Sequence, residues 1–162
     1  PYAPWGSLCQ RGLAVAEAAP DRLALLQLLS DTQRHTGQLD DALQSAQKRA
    51  DLAKASGADA AQASAQSQIA DIYQARGQLD EALRIRWEEV LPVFERLGLA
   101  HDATICRWRM ARYLLQRQGP GDRQAAQDLL SQAYDAATAL KLPEVSELRQ
   151  ELEALSDDRA KG

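Results

Sequence analysis

The heptapeptide Gly37-Gln38-Leu39-Asp40-Asp41-Ala42-Leu43 recurs as Gly77-Gln78-Leu79-Asp80-Glu81-Ala82-Leu83, 77 − 37 = 40 residues further on. A weaker copy, Gly121-Asp122-Arg123-Gln124-Ala125-Ala126, follows 121 − 77 = 44 residues later. Self-similarity at a period of this size restricts a chain to stacked supersecondary units, each too small to bury its apolar face without its neighbour.

Each copy carries the logic of a helix-to-helix turn. Gly reaches the left-handed conformation that ends one helix, and the Gln or Asp behind it is suited to start the next. Apolar residues at helical spacing lie on both sides, such as Ile69, Ala70, Ile72 and Tyr73 before the second turn, and Leu39, Ala42, Leu43, Ala46, Ala50 and Ala53 after the first. Hydrophobic residues make up 45% of the chain but aromatic ones only 5%, and Ala, Leu and Gln dominate, a mix that enters helices at little cost. The pattern predicts one helical repeat domain: a half repeat over 5–19, repeat 1 over 21–56, repeat 2 over 59–98, repeat 3 over 101–140 and a polar capping helix over 143–156. Within the repeats the helices are expected at 21–36 with 39–56, 59–76 with 79–98, and 101–118 with 122–140.

The Gly, the Asp or Gln behind it, the Ala five residues after it and the upstream Ala70 and Tyr73 together resemble the tetratricopeptide repeat. The 40-residue spacing exceeds the usual ~34, and the stretch from Gln68 through Gly98 is similar to the extended class found in large bacterial multidomain proteins. The resemblance implies an all-α, right-handed α-solenoid of antiparallel helix pairs. It also implies protein or peptide binding, sometimes beside a signalling NTPase or a protease-like effector. Repeat 1 departs from the pattern, with Ser30 for Ala70 and Gln33 for Tyr73, and the third turn carries the insertion Gln118-Gly119-Pro120-Gly121.

Little else in the chain suggests chemistry. A net charge of −4 with both signs interspersed disfavours phosphate binding and hence a nucleic-acid partner. No apolar run approaches the roughly 20 residues of a membrane span. Cys9 and Cys106 are far apart and expected to be unpaired, which points to the cytoplasm. No Gly-rich phosphate loop occurs, His35 and His101 have no catalytic company, and Asp40/Asp41 and Glu88/Glu89 read as solvated charge. No enzyme activity, cofactor or metal is expected. The opening Pro1 suggests a piece of a longer chain. Pro92 falls inside the apolar pattern of Val90, Leu91, Val93, Phe94 and Leu97, where a helix must deform, predicting a kink near Glu88 to Pro92.

Aligning the repeats on Gly37, Gly77 and Ala111 predicts one stripe per repeat on the inner face: Gln27, Asp31 and Arg34; Ser64, Ser67, Asp71 and Gln74; Ile105, Trp108, Arg112 and Leu115. The steps of three and four residues put each set on one side of a helix, with Leu29, Ile69 and Met110 on the core side. Trp and Arg are enriched among binding hot spots, so this groove is the expected partner surface. A sensor arm for an NTPase or protease-like effector, and a spacer or self-association module, are the alternatives.

Overall fold

A computed structural model describes residues 3–15 and 18–160, and no strand occurs among them. The helices are α1 (Ala3–Val15), α2 (Ala19–His35), α3 (Leu39–Ala55), α4 (Asp59–Ala75), α5 (Leu79–Ile85), α6 (Leu91–Arg96), α7 (Ala100–Arg117), α8 (Asp122–Leu140) and α9 (Val145–Ala160). A π-helical segment, Arg86–Val90, joins α5 to α6 without a break. Over 5–19, where the sequence reads as one helix, the structure differs. There α1 ends at Val15, residues 16 and 17 lie outside the described residues, and α2 already starts at Ala19. Pro20 sits in the first turn of α2, where its missing N–H would have had no helical partner anyway.

Gly37 and Gly77 end their helices at φ 79° and 77°. Around Gly37 the bonds are Gln38 N–H to Gln33 O at 2.8 Å and Gly37 N–H to Arg34 O at 3.2 Å, and Gly77 repeats them with Tyr73 and Gln74 at 2.9 Å each. This pair of bonds is the Schellman motif, which satisfies the last carbonyls of the helix. The turns at Gly57, Gly98 and Lys141 close in the same way. The expectation for the following residue fails: Gln38 and Gln78 make no side-chain cap bond. Asp40, Asp41, Asp80 and Glu81 instead place negative charge in the first turns, where it complements the helix dipole.

In the third turn Asp122 turns back onto the preceding helix. Its Oδ2 accepts from Gly119 N–H at 2.7 Å and Arg117 Nε at 2.8 Å, and its Oδ1 accepts from Arg117 Nη2 at 2.6 Å. Bonding to Arg117 and to the Gly119 amide holds the buried carboxyl below the ordinary aspartate value.

The chain divides into two compact units, Pro1–Val93 and Phe94–Gly162. In the first, α2 packs on α1, α3 and α4, and α4 packs on α5. The α3 face toward its neighbours is Ala42, Ala46, Ala50 and Ala53, all but inaccessible, so the helices can approach closely. Ser30 adds a bond across this contact, donating to Ala42 O at 2.8 Å. In the second unit α8 packs between α7 and α9, burying Met110, Tyr113, Leu130 and Leu148 with Ala126, Ala133 and Ala137.

At Pro92 the helix deforms as a π-turn. Leu91 N–H bonds to Arg86 O, one residue further back than in an α-helix. This widened turn accommodates a ring that would otherwise clash with the carbonyl four residues earlier. The buried set along this helix is Ala82, Ile85, Arg86, Val90 and Phe94.

Gly77→Val, which puts a β-branched residue at positive φ, is expected to cost at least about 1 kcal/mol in denaturant unfolding. Asp122 has a folded pKa below its unfolded one, so its contribution is complete at neutral pH and is lost as pH falls through the acid range. Asp122→Asn is therefore expected to lower the melting temperature at pH 7 and to flatten its decline below about pH 4.

Candidate partner-binding surface

In the first unit the stripe on α2 and α4 is half-buried apart from the exposed Gln27, because α3 and the π segment send arginines into it. Arg49, 5% exposed, donates through Nη2 to Gln27 Oε1 at 2.8 Å and to Ser64 Oγ at 3.2 Å. Arg86, 1% exposed, donates through Nη1 to Ser67 Oγ at 3.0 Å and through Nη2 to Asp71 Oδ1 at 2.6 Å. Gln68 links the two helices, its Nε2 donating to Gln27 O at 3.0 Å and Asp31 Oδ1 at 2.8 Å.

The structure thus brings Gln27, Asp31, Ser64, Ser67 and Asp71 together as acceptors for buried donors. Burial lowers the Arg49 pKa and the Asp31 charge opposes that shift. Sequence reasoning missed Arg49, Arg86 and Gln68. Arg49 lies on the apolar stripe of Ala42, Ala46 and Ala53, and Arg86 between Ala82 and Val90 at steps of four. A charge inside an apolar period was the signal.

Not every polar group on this face is satisfied. Arg34 Nε, Arg49 Nε and Nη1, and Gln68 Oε1 are enclosed with no hydrogen-bond partner among the described residues. Arg34 is half-buried and its guanidinium bonds to nothing described.

In the second unit Ile105, Trp108, Arg112 and Leu115 lie along α7, but Trp108 is not exposed as the stripe suggested. It is 9% exposed, and its Nε1 donates to Glu151 Oε2 on α9 at 2.9 Å. The capping helix covers the residue expected to be an open anchor. Arg112 remains exposed, its guanidinium 6.0 Å from the centroid of the Trp108 ring and its Nε 3.9 Å from Glu151 Oε1. Beside them a cavity of about 310 Å³ is lined by Arg112, Leu115, Glu151, Ala154 and Leu155.

Cys9 and Cys106 are free thiols, both buried, and burial raises the Cys9 pKa. His101 is exposed, with Nε2 3.3 Å from Glu144 Oε1. Among the described residues no three His, Cys, Asp or Glu side chains are placed to hold a metal ion, and no helix is long and apolar enough to cross a membrane.

No protein-family model matches the chain, and no curated protein sequence does. Its fold is nonetheless that of known structures. The apo form of RapI superimposes over 96% of this chain with a TM-score of 0.80 at 10% identity. BtubC from P. vanneervenii gives 0.77 over 98% at 15% identity, and the nearly identical TPR-like repeats of a putative kinesin light chain from Podospora anserina give 0.72 over 99% at 18%. The chain spans 56% of the RapI chain, 64% of BtubC and 78% of the kinesin light chain repeats.

Asp71→Ala is expected to cost about 3 kcal/mol in urea unfolding, since it leaves Arg86 enclosed without its carboxylate. Trp108→Phe keeps the ring and removes the bond to Glu151, a loss of about 1 kcal/mol in the same measurement.

Proposed function

We propose that this TPR-like repeat domain is a protein- or peptide-binding module, a non-enzymatic scaffold part of a larger bacterial protein that works in the cytoplasm without a cofactor. The observation that supports it is Arg34 on the inner face of the first unit, half-buried with a guanidinium that bonds to nothing described. Enclosed polar atoms without partners cost about 1–3 kcal/mol each. A peptide carbonyl or carboxylate offers Arg34 the acceptor that it lacks. In the second unit Arg112 offers an exposed cation beside a largely covered aromatic ring.

The test is a pull-down from the source organism with the wild-type chain, Arg34→Glu, and Glu81→Lys as an outer-surface control. Arg34→Glu is expected to weaken capture by about 2 kcal/mol or more, roughly 30-fold, as charge reversal at a hot spot does. Glu81→Lys should stay within about 0.5 kcal/mol of wild type, like an ordinary surface substitution. Equal capture by all three overturns the binding surface. A doubled mass in light scattering then favours self-association, and capture of an NTPase or protease-like effector favours the sensor arm.

A further inference from the structure

A second recess lies on a different side of α2, where Arg22, Leu26, Leu29 and Gln33 recur at steps of three and four and face the space between α1 and α3. It comprises a cavity of about 630 Å³ with Leu13, Leu26, Leu29 and Leu52 among its apolar lining. A smaller cavity of about 250 Å³ by Ser7, Thr36 and Gln38 shares Gln10, Leu29, Gln33 and Asp41 with it. Volumes of this order are those of ligand sites.

The recess occurs where repeat 1 departs from repeat 2. Forty residues after Gln33 stands Tyr73, and forty after Ser45 stands Ile85, which is buried in the core. In repeat 1 a bulky aromatic and a branched aliphatic are thus replaced by two short polar side chains. These bond to each other, Ser45 Oγ donating to Gln33 Oε1 at 2.8 Å. Gln33 is 9% exposed. Its Nε2 has no partner among the described residues, and Gln33 lines both cavities. An amide donor held in place by its own oxygen, over a floor of leucines, suits a carbonyl carried next to an apolar side chain.

Charge is distributed along the groove. Near the α2–α3 turn stands Asp41, and toward the other end stand Lys48 and Arg22; none of the three has a side-chain partner among the described residues. Asp51 at that end accepts from Gln47 at 3.2 Å. Asp41 and Lys48 are seven residues apart on α3, about 10 Å along the helix axis. An extended chain covers that distance in about three residues.

We propose that this groove binds a short extended peptide segment of a partner protein. A basic residue of the segment lies at Asp41, and an apolar side chain sits among Leu13, Leu26, Leu29 and Leu52. A backbone carbonyl accepts from Gln33 Nε2, and an acidic residue meets Lys48 and Arg22. The site is independent of the inner face, which uses Gln27, Asp31 and Arg34 of the same helix.

The test is an NMR titration of the whole chain with acetyl-Lys-Leu-Glu-amide and with the reversed acetyl-Glu-Leu-Lys-amide. The first is expected to give saturable shifts confined to α1, α2 and α3, including the Gln33 side-chain amide, with a Kd on the order of 1 mM. The reversed peptide should bind at least about fivefold more weakly, the equivalent of one lost pairing. Gln33→Leu removes only the amide and should also cost about fivefold. Gln33→Tyr with Ser45→Ile, the pair that repeat 2 carries, should abolish the shifts while leaving the circular dichroism helical. Absence of shifts up to about 10 mM, where even ligands weaker than 1 mM register, overturns the proposal. So do shifts elsewhere on the chain, or equal affinity for both peptides. If the double variant fails to fold, an unchanged affinity in Gln33→Leu overturns it as well.

Discussion

Reversing an α-helix within three residues requires one of them at positive φ, and the repeat architecture of this chain depends on that constraint. Gly37, Gly57, Gly77 and Gly98 meet it at φ between 66° and 79°, each closing the same pair of backbone bonds. A side chain at such a position costs about 1–2 kcal/mol, so the glycines fix where each helix stops. Helix length then fixes which residues face one another. The alanines of α3 are useful only because the turn returns α4 onto them, and the stripes on α2 and α4 share a face only because the two turns between them agree.

Once the helices are in register, the first unit resolves an electrostatic conflict in its interior. Arg49 and Arg86 sit at positions whose helical period is otherwise filled by Ala and Val, and both are almost wholly enclosed. Enclosed cations are tolerated where acceptors are fixed around them. The acceptors come from the first helices of the two repeats, α2 and α4: Gln27, Ser64, Ser67 and Asp71. The same side chains that mark an inner face as polar are therefore committed first to holding the second helices in place. On that face Arg34 is left half-buried with no described partner for its guanidinium.

The second unit handles its aromatic residue in the same way. Trp108 would give an exposed anchor if α7 were an outermost helix, but α9 covers it and supplies Glu151 to its Nε1. The outer side of α9, with Ser146, Glu147, Arg149, Gln150 and Glu153 exposed, faces water. A capping helix thus converts a hydrophobic stripe into a soluble end and leaves Arg112 as the accessible part of the pair.

The helices and their turns were legible in the sequence because they are set by local chemistry. Glycine at a fixed period, apolar residues at steps of three and four, and a low-aromatic, Ala-rich composition each act within one or two turns of helix. The TPR-like class follows from their repetition. Local logic also reached its limit in identifiable places. The cap residues Gln38 and Gln78 have the right chemistry but make no cap bond, and Pro92 announces a deformation without saying that it becomes a π-turn. Side-chain environment was decided by tertiary structure alone. Whether Trp108 is open or covered depends on a helix 43 residues away, and whether Gln33 fills a core or opens a recess depends on Ser45 opposite it. Backbone conformation answers to neighbours in sequence; burial answers to neighbours in space, which the period of a repeat specifies only as far as successive repeats carry the same residues.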